Sequence, residues 1–356
     1  MWSGIPYTSI ITVFGVFLGI YHESLGRLGV AIQIWSTFDA HLLLLIFLPA
    51  LIFESAFNSD WHIFKMEFGQ VLIMAGPMLI GSTILSALMM RYIFQYNGPE
   101  FPFSAALLYG SIISATDPVA VVCLLKELGA SKRLATMIEG ESLFNDGTAM
   151  VVFLVLLEFV EGKQLTFFDV VWKFVRLSGG GILLGILVGI FVEQVLKRIH
   201  NNFVLEVNTT IYACYLMFFA AEGTSLHVSG ILALVALGLF MTKSGKVRIS
   251  AESEHAVHHV WGYIGFMAET LIFILSGIIM GERAMDDQNL IGVKDYIKLF
   301  GIYIVLHFIR FFMILLFWPC LQKMGYGMSF NQVLLCSYAG LRGAVGLSLA
   351  LMVTAS

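Results

Sequence analysis

The sequence predicts an all-helical protein that crosses a membrane many times. Three observations carry that prediction. Of its 356 residues, 58% are hydrophobic and only 12% are charged, against roughly 25% charged in soluble domains; mean hydropathy is +0.87. The apolar residues fall in runs of about 20, the length a helix needs to span a bilayer. The charges between the runs alternate in sign along the chain, as cytoplasmic and external loops do.

Eleven candidate spans follow in order: 7–21, 38–57, 68–94, 103–127, 133–159, 168–198, 204–222, 227–243, 255–281, 294–321 and 329–353. The first is short and starts almost at Met1, and the last runs nearly to Ser356, so both ends read as cut. Met1 leads into an apolar segment without a basic n-region or cleavage site, unlike a secretory leader. Cys123, Cys214, Cys320 and Cys336 all sit in apolar runs, which reads as buried small hydrophobes rather than disulfides or zinc ligands. No basic, aromatic-interleaved patch marks a nucleic-acid partner.

Loop charge sets the sidedness. One set of loops carries Lys126, Lys132, Arg133, Lys197, Arg198, Lys243, Lys246, Arg248 and Lys323. The alternate set carries Glu100, Glu161, Glu222, Glu282, Asp286 and Asp287, with only Lys163 and Arg283 as bases. The positive-inside rule puts the first set, with the link at 126–133, in the cytoplasm.

Two segments have readings to weigh. The run at 168–198 is too long to stand upright, and Gly181, Gly185 and Gly189 share one face. Such a stripe is a close-packing seam, or marks a tilted linker between two half-molecules. His255, His258 and His259 have a spacing that could hold a metal, but no HExxH accompanies them; the simpler reading is a helix start at the cytoplasmic interface.

The chemistry sits in residues 104–150. Thr116-Asp117-Pro118 interrupts one apolar run. Proline removes a backbone hydrogen bond and clashes one turn back. In lipid such a break survives only where it is buried in protein or lines a polar cavity, and transporters use broken helices to bind ions at the midplane. Asp117 can cap the second half-helix and offset its positive end; a plain capped kink is the alternative. In the next run, Ser142 and Asp146 share one face and Glu141 and Asn145 the neighbouring one. Asp146 is followed by an apolar stretch and has Asn145 beside it, not a base. Desolvation makes such a carboxylate able to take either a proton or a small cation. Two ligands competing for one site, open alternately to each side, suffice for antiport. A buried Glu141 needs a partner. Arg342, among glycines in the last run, is the first choice, with Glu269 as rival for that arginine. The glycine-interrupted segment late in the chain mirrors the proline-interrupted one, a pointer to inverted repeats.

The motifs Ala115-Thr116-Asp117-Pro118-Val119-Ala120-Val121, Glu139-Gly140-Glu141-Ser142-Leu143-Phe144-Asn145-Asp146-Gly147, Ala268-Glu269-Thr270-Leu271-Ile272-Phe273 and Gly340-Leu341-Arg342-Gly343-Ala344 resemble the sodium/proton exchanger family of the monovalent cation:proton antiporter-1 type. The stretch at 126–132 is similar to plant salt-tolerance antiporters and sperm-type exchangers. The resemblance implies the sodium/proton-antiporter fold: one transmembrane antiporter domain over 1–356, with a first repeat at about 1–160, a linker helix at about 168–198 and an incomplete second repeat at about 204–356. It implies crossing broken helices, an elevator motion and a homodimer. It assigns Asp146 as the Na⁺ and H⁺ site, with Thr116, Ser142 and Asn145 near the ion, Asp117 close by, and Glu269 as a cavity acid. It implies a Glu141–Arg342 pair and, from Asn145 in place of a second aspartate, electroneutral exchange of Na⁺, with Li⁺ and K⁺ as alternatives. The protein would be a pH-regulating antiporter, not an enzyme, with no cofactor, in the plasma membrane (ciliary or flagellar included) rather than an endomembrane. The family has about thirteen helices, so its first and last are expected to be missing. Sperm-type relatives also carry a voltage sensor and a cyclic-nucleotide-binding domain, and neither pattern occurs here. A transport-inactive structural or regulatory subunit with the same fold is the other reading.

Overall fold

The computed structural model describes residues 7–36, 40–96, 98, 101–118, 121–122, 124–125, 129, 131–163, 166–199, 202–224, 226–286 and 293–355. Every regular element among them is helical. In chain order they are α1 (Tyr7–Ile20), α2 (Arg27–Ser36), α3 (Ala40–Asn58), α4 (Trp61–Ile73), α5 (Leu79–Tyr92), α6 (Phe103–Ser114), α7 (Lys132–Val160), α8 (Phe167–Leu196), α9 (Phe203–Glu222), α10 (Gly230–Phe240), α11 (Ala251–Asp286), α12 (Val293–Leu321), α13 (Phe330–Tyr338) and α14 (Ala344–Ala355). Val119, Ala120, Cys123, Lys126, Glu127, Leu128 and Ala130, with the loop acids Glu100 and Asp287, lie outside the described residues.

The membrane character holds. Seven helical stretches among the described residues are by themselves long and apolar enough to cross a bilayer; the predicted runs at 7–21, 38–57, 103–127 and 329–353 coincide with the shorter α1, α3 and α6 and with the pair α13 and α14. The run placed at 68–94 starts earlier, at Trp61, and α4 and α5 form one span, Trp61–Ile93. Asp60 caps it by accepting from the N–H groups of His62 and Ile63, while Lys65 and Glu67 mask its first turns in hydropathy. Pro77 does not break this span, because a π-helical turn at Met74–Met78 absorbs it. Thr148 of α7 donates to the Ala75 carbonyl there at 2.6 Å, supplying a partner that a π-bulge requires. By contrast, α6 stops at Ser114 and α13 stops at Tyr338, with irregular backbone at 115–118 and 340–343. The short α2, which follows Gly26 at φ +57°, has no counterpart among the sequence-derived spans.

The basic loops gather at one end. Lys132 pairs with Asp60 at 2.7 Å, Arg133 lies over the Tyr326 ring at 4.8 Å, Lys246 over Phe57 at 4.9 Å, and Arg248 reaches Glu193 at 3.3 Å. That is the end the positive-inside rule assigns to the cytoplasm.

Two glycine seams draw helices together. The glycine stripe of α8 packs on α10: a Cβ on Gly181 would stand 2.5 Å from the Ser229 carbonyl, and one on Gly189 would stand 2.6 Å from the Phe240 ring. Helix α10 is buried along almost its whole length, as a helix apolar on every side must be. The second seam was not anticipated. Gly15 and Gly19 of α1 meet Gly277 and Gly281 of α11, with a Cβ on Gly277 falling 2.9 Å from the Gly15 Cα. Two facing small-xxx-small motifs let the backbones touch. Of the cysteines, Cys214 and Cys336 are buried as expected of small hydrophobes, while Cys320 is exposed, because α12 turns that position outward.

Gly277→Leu should destabilise the protein by about 1–3 kcal/mol through overpacking, read as a lower thermal midpoint in detergent. Gly262→Ala, where a Cβ would meet nothing within 4 Å, should not lower it. Asp60→Ala should cost about 1 kcal/mol by removing the cap. The Lys132 ammonium, with the cap N–H groups, holds the Asp60 carboxyl below the usual aspartate range. Its contribution is therefore complete above about pH 4 and fades as pH falls through the lower folded value, so the gap between wild type and variant should close there.

Candidate functional site

The two irregular segments cross and bond to each other. The Asp117 N–H donates to the Leu341 carbonyl at 2.8 Å. A Cβ on Gly343 would collide with the Asp117 side chain, so only glycine permits the approach. Other exposed carbonyls of the first break are taken up in turn. Ser142 donates to the Thr116 carbonyl at 2.9 Å, Asn145 to the Ser114 carbonyl at 3.2 Å, and Arg342 to the Ala115 carbonyl at 3.4 Å. Helical backbone resumes at 121–122, where the Val122 N–H bonds the Pro118 carbonyl at 2.8 Å.

Beside the crossing is a small cavity of about 100 Å³ lined by Asp117, Ser142, Asp146 and Glu269, with Ser55 and Gly265 on its other wall. Helix α7 brings Ser142 and Asp146 to it, as their spacing of four requires. Among the described residues, no hydrogen-bond donor reaches the Asp146 carboxylate. A larger cavity of about 540 Å³ shares Asp117, Glu269 and Phe273 and is lined further by Thr8, Thr12 and Arg342. The two cavities therefore meet at Asp117, Glu269 and Phe273.

The sequence-derived set divides into two groups. Asp117, Ser142, Asp146 and Glu269 face the small cavity. Thr116 and Asn145 do not line it; both are buried, and Asn145 donates to the Thr116 hydroxyl at 2.9 Å. Their observed work is to hold α7 against the break. The Asn145 side-chain oxygen, Oδ1, is buried without a partner among the described residues.

The expected Glu141–Arg342 pair is not formed. Glu141 pairs with Arg310 of α12 at 2.8 Å. Arg310 also donates to the Cys336 carbonyl at 3.0 Å and reaches the Thr116 hydroxyl at 3.4 Å. It passes over Gly340, where any Cβ would strike its guanidinium. Arg342 instead extends into the large cavity. The glycines around Arg342 let the chain bend, and the bend swings residue 342 away from α7. Arg310 carried a signal that could have found it: it is the one arginine in the apolar run 299–321.

Glu54 of α3 was also missed. It accepts from Asn58 at 2.6 Å, and Asn58 is bonded to His258 at 2.6 Å. Gly265 lies against its carboxylate. A polar line thus runs along the α3–α11 seam from the basic end towards the small cavity. The signal was a glutamate inside an apolar helix, which default membrane physics marks as functional. His258 faces Asn58, and no group of three or more metal-ligating side chains occurs among the described residues.

The family profile described as "Sodium/hydrogen exchanger, transmembrane" matches residues 2–356. The chain belongs to the sodium/hydrogen exchanger family. This family member is 37% identical over 358 residues to sodium/hydrogen exchanger 8 of Arabidopsis thaliana, a match covering 99% of the chain and 47% of that protein. It is 30% identical to the low-affinity Na⁺/H⁺ antiporter NhaS1 of Synechocystis, covering 98% and 63%. The chain thus spans about half the length of these relatives. Its fold is that of the sodium proton antiporter MjNhaP1 from Methanocaldococcus jannaschii: TM-score 0.75, 17% identity, covering 98% of this chain and 80% of that one.

Arg310→Ala should lower stability by about 3–5 kcal/mol, because it leaves Glu141 charged, buried and unpaired. Arg342→Ala should leave the thermal midpoint much closer to wild type. Melting curves of the two purified variants in the same detergent check the reassignment; equal losses would contradict it.

Proposed function

We propose that this chain is the transport domain of a secondary antiporter that exchanges Na⁺ for H⁺, with Li⁺ and K⁺ as rival substrates. The observation that carries the reading is Asp146: a carboxylate at the crossing of two broken helices, facing a cavity, with no donor bonded to it among the described residues. A partly buried carboxylate in that position is stable with a proton or with a cation, and it cannot hold both. Ser142, Asp117 and Glu269 supply further oxygens around the same space. Asn145 and Thr116 act one layer behind, keeping α7 and the break in register.

The supporting argument for movement is the burial of the charges not needed for the ion. Arg310 and Glu141 neutralise each other within the protein, so neither charge has to be compensated by the transported ion. One carboxylate taking one cation or one proton is electroneutral. Inverted repeats at about 1–160 and 204–356, joined by the linker helix α8, fit an elevator motion in a homodimer. Membership of the family and its relatives' names support the antiport reading; the plasma membrane is the location proposed with it.

In proteoliposomes, Asp146→Asn should abolish sodium-dependent proton flux while the purified variant keeps a wild-type melting profile. Full activity in that variant would sink the assignment. Na⁺ should raise the thermal midpoint of the wild-type protein, since a ligand that binds the native state stabilises it. A chain with neither flux nor stabilisation by Na⁺, Li⁺ or K⁺ would be a structural subunit instead.

A further inference from the structure

The structure holds a second large cavity that the ion site does not use. It lies between α4 and α7 on one side and α8 and α10 on the other, with a volume of about 670 Å³. Phe144 lines it, two residues from both Ser142 and Asp146 and so on the opposite side of α7 from the ion face. Its inner wall is aromatic: Phe64 and Phe68 lie 6.0 and 5.9 Å from the Phe144 ring. At its mouth stand Lys65 and Lys243, the latter 5.5 Å above the Trp61 ring. Both lysines are exposed. Among the described residues, neither has a carboxylate partner.

Three features identify what would fill this groove. First, it opens sideways. Phe68, Ile182 and Ile186 are partly exposed along it, and the neighbouring Leu72 and Leu183 are exposed on the outer faces of α4 and α8. In a chain that spans a membrane those faces meet lipid, so an occupant enters from the bilayer. Second, its length matches one leaflet. From Leu232 to Lys243 helical backbone rises about 16 Å, close to half of the roughly 30 Å hydrocarbon core. Third, its charge is at the right end. The lysines stand at the basic end of the molecule, where the cytoplasmic leaflet presents anionic headgroups. An apolar wall with a few polar groups at one end is the general form of a ligand site.

We propose that this groove binds an anionic phospholipid of the cytoplasmic leaflet, its phosphate between Lys65 and Lys243 and an acyl chain along Trp61, Phe64 and Phe144. The binding does not depend on the transport reading, since none of these side chains lines the ion cavity.

The test uses contact quenching of Trp61 in the purified full chain. In neutral detergent the protein is titrated with phosphatidylglycerol or phosphatidylcholine carrying brominated acyl chains, and tryptophan fluorescence is read. Two lysines at the membrane surface should bring the half-point for phosphatidylglycerol to a roughly tenfold lower mole fraction than for phosphatidylcholine. Trp61→Phe should remove the phosphatidylglycerol-selective part of the quenching. Lys65→Gln with Lys243→Gln should make the two lipids equivalent without changing the melting temperature, because both side chains are exposed. Equal half-points in the wild type would mean unselective contact with surrounding lipid and would overturn the proposal. Selectivity that survives either variant would place the anionic lipid elsewhere and overturn it equally.

Discussion

The bond from the Asp117 N–H to the Leu341 carbonyl ties together two stretches of backbone that a membrane interior would otherwise not tolerate. Each break frees N–H and C=O groups, and hydrocarbon offers them no partner. The chain answers by crossing the breaks, so that each supplies part of what the other lacks. Side chains from α7 and the second break complete the set: Ser142, Asn145 and Arg342 each cap one carbonyl of the first break. The polar residues of α7 are therefore needed for structure before any ion is considered. Asp146 stands apart among them because its carboxylate receives no such bond.

Charge follows the same logic of local completion. Arg310 is held by a carboxylate, a backbone carbonyl and a hydroxyl from three different elements. A guanidinium suits this position because its planar fork offers donors in several directions at once. Close approach of α12 to the second break needs Gly340, as close approach of the two breaks needs Gly343. The glycines that loosen the last segment thus serve two crossings, and Arg342 is left to the larger cavity. Around this centre, the α1–α11 and α8–α10 seams use small residues for the same purpose, since helices in lipid gain by packing closely rather than by escaping water.

Much of this was legible in the sequence where the physics is local. Hydropathy located the apolar runs, and loop charge assigned the basic loops to one end, where the structure gathers them. Proline at 118 and the glycines at 340 and 343 predicted where helices stop. Helical spacing correctly set Ser142 and Asp146 on one face. Where local signals conflicted, the reading fell short: Lys65 and Glu67 hid the start of α4. Glu54 and Arg310 were passed over although each is an isolated charge in an apolar run.

What the sequence by itself determined is therefore the membrane class, the gathering of the basic loops at one end, the positions of the two breaks and the shared face of Ser142 and Asp146. These depend on residue type and on separations of a few residues, which the chain fixes before it folds. Pairing between distant residues was decided only by the tertiary structure. Arg310 and Arg342 both lie within membrane-length runs, and nothing in spacing tells which one meets Glu141, 169 residues from Arg310. The answer depends on where the backbone bends at 340–343 and on which helix packs over Gly340. The division of Asn145 and Asp146, neighbours in sequence, into a bonded side chain and an open one has the same origin. A turn of 100° along α7 places one against the break and the other against the cavity.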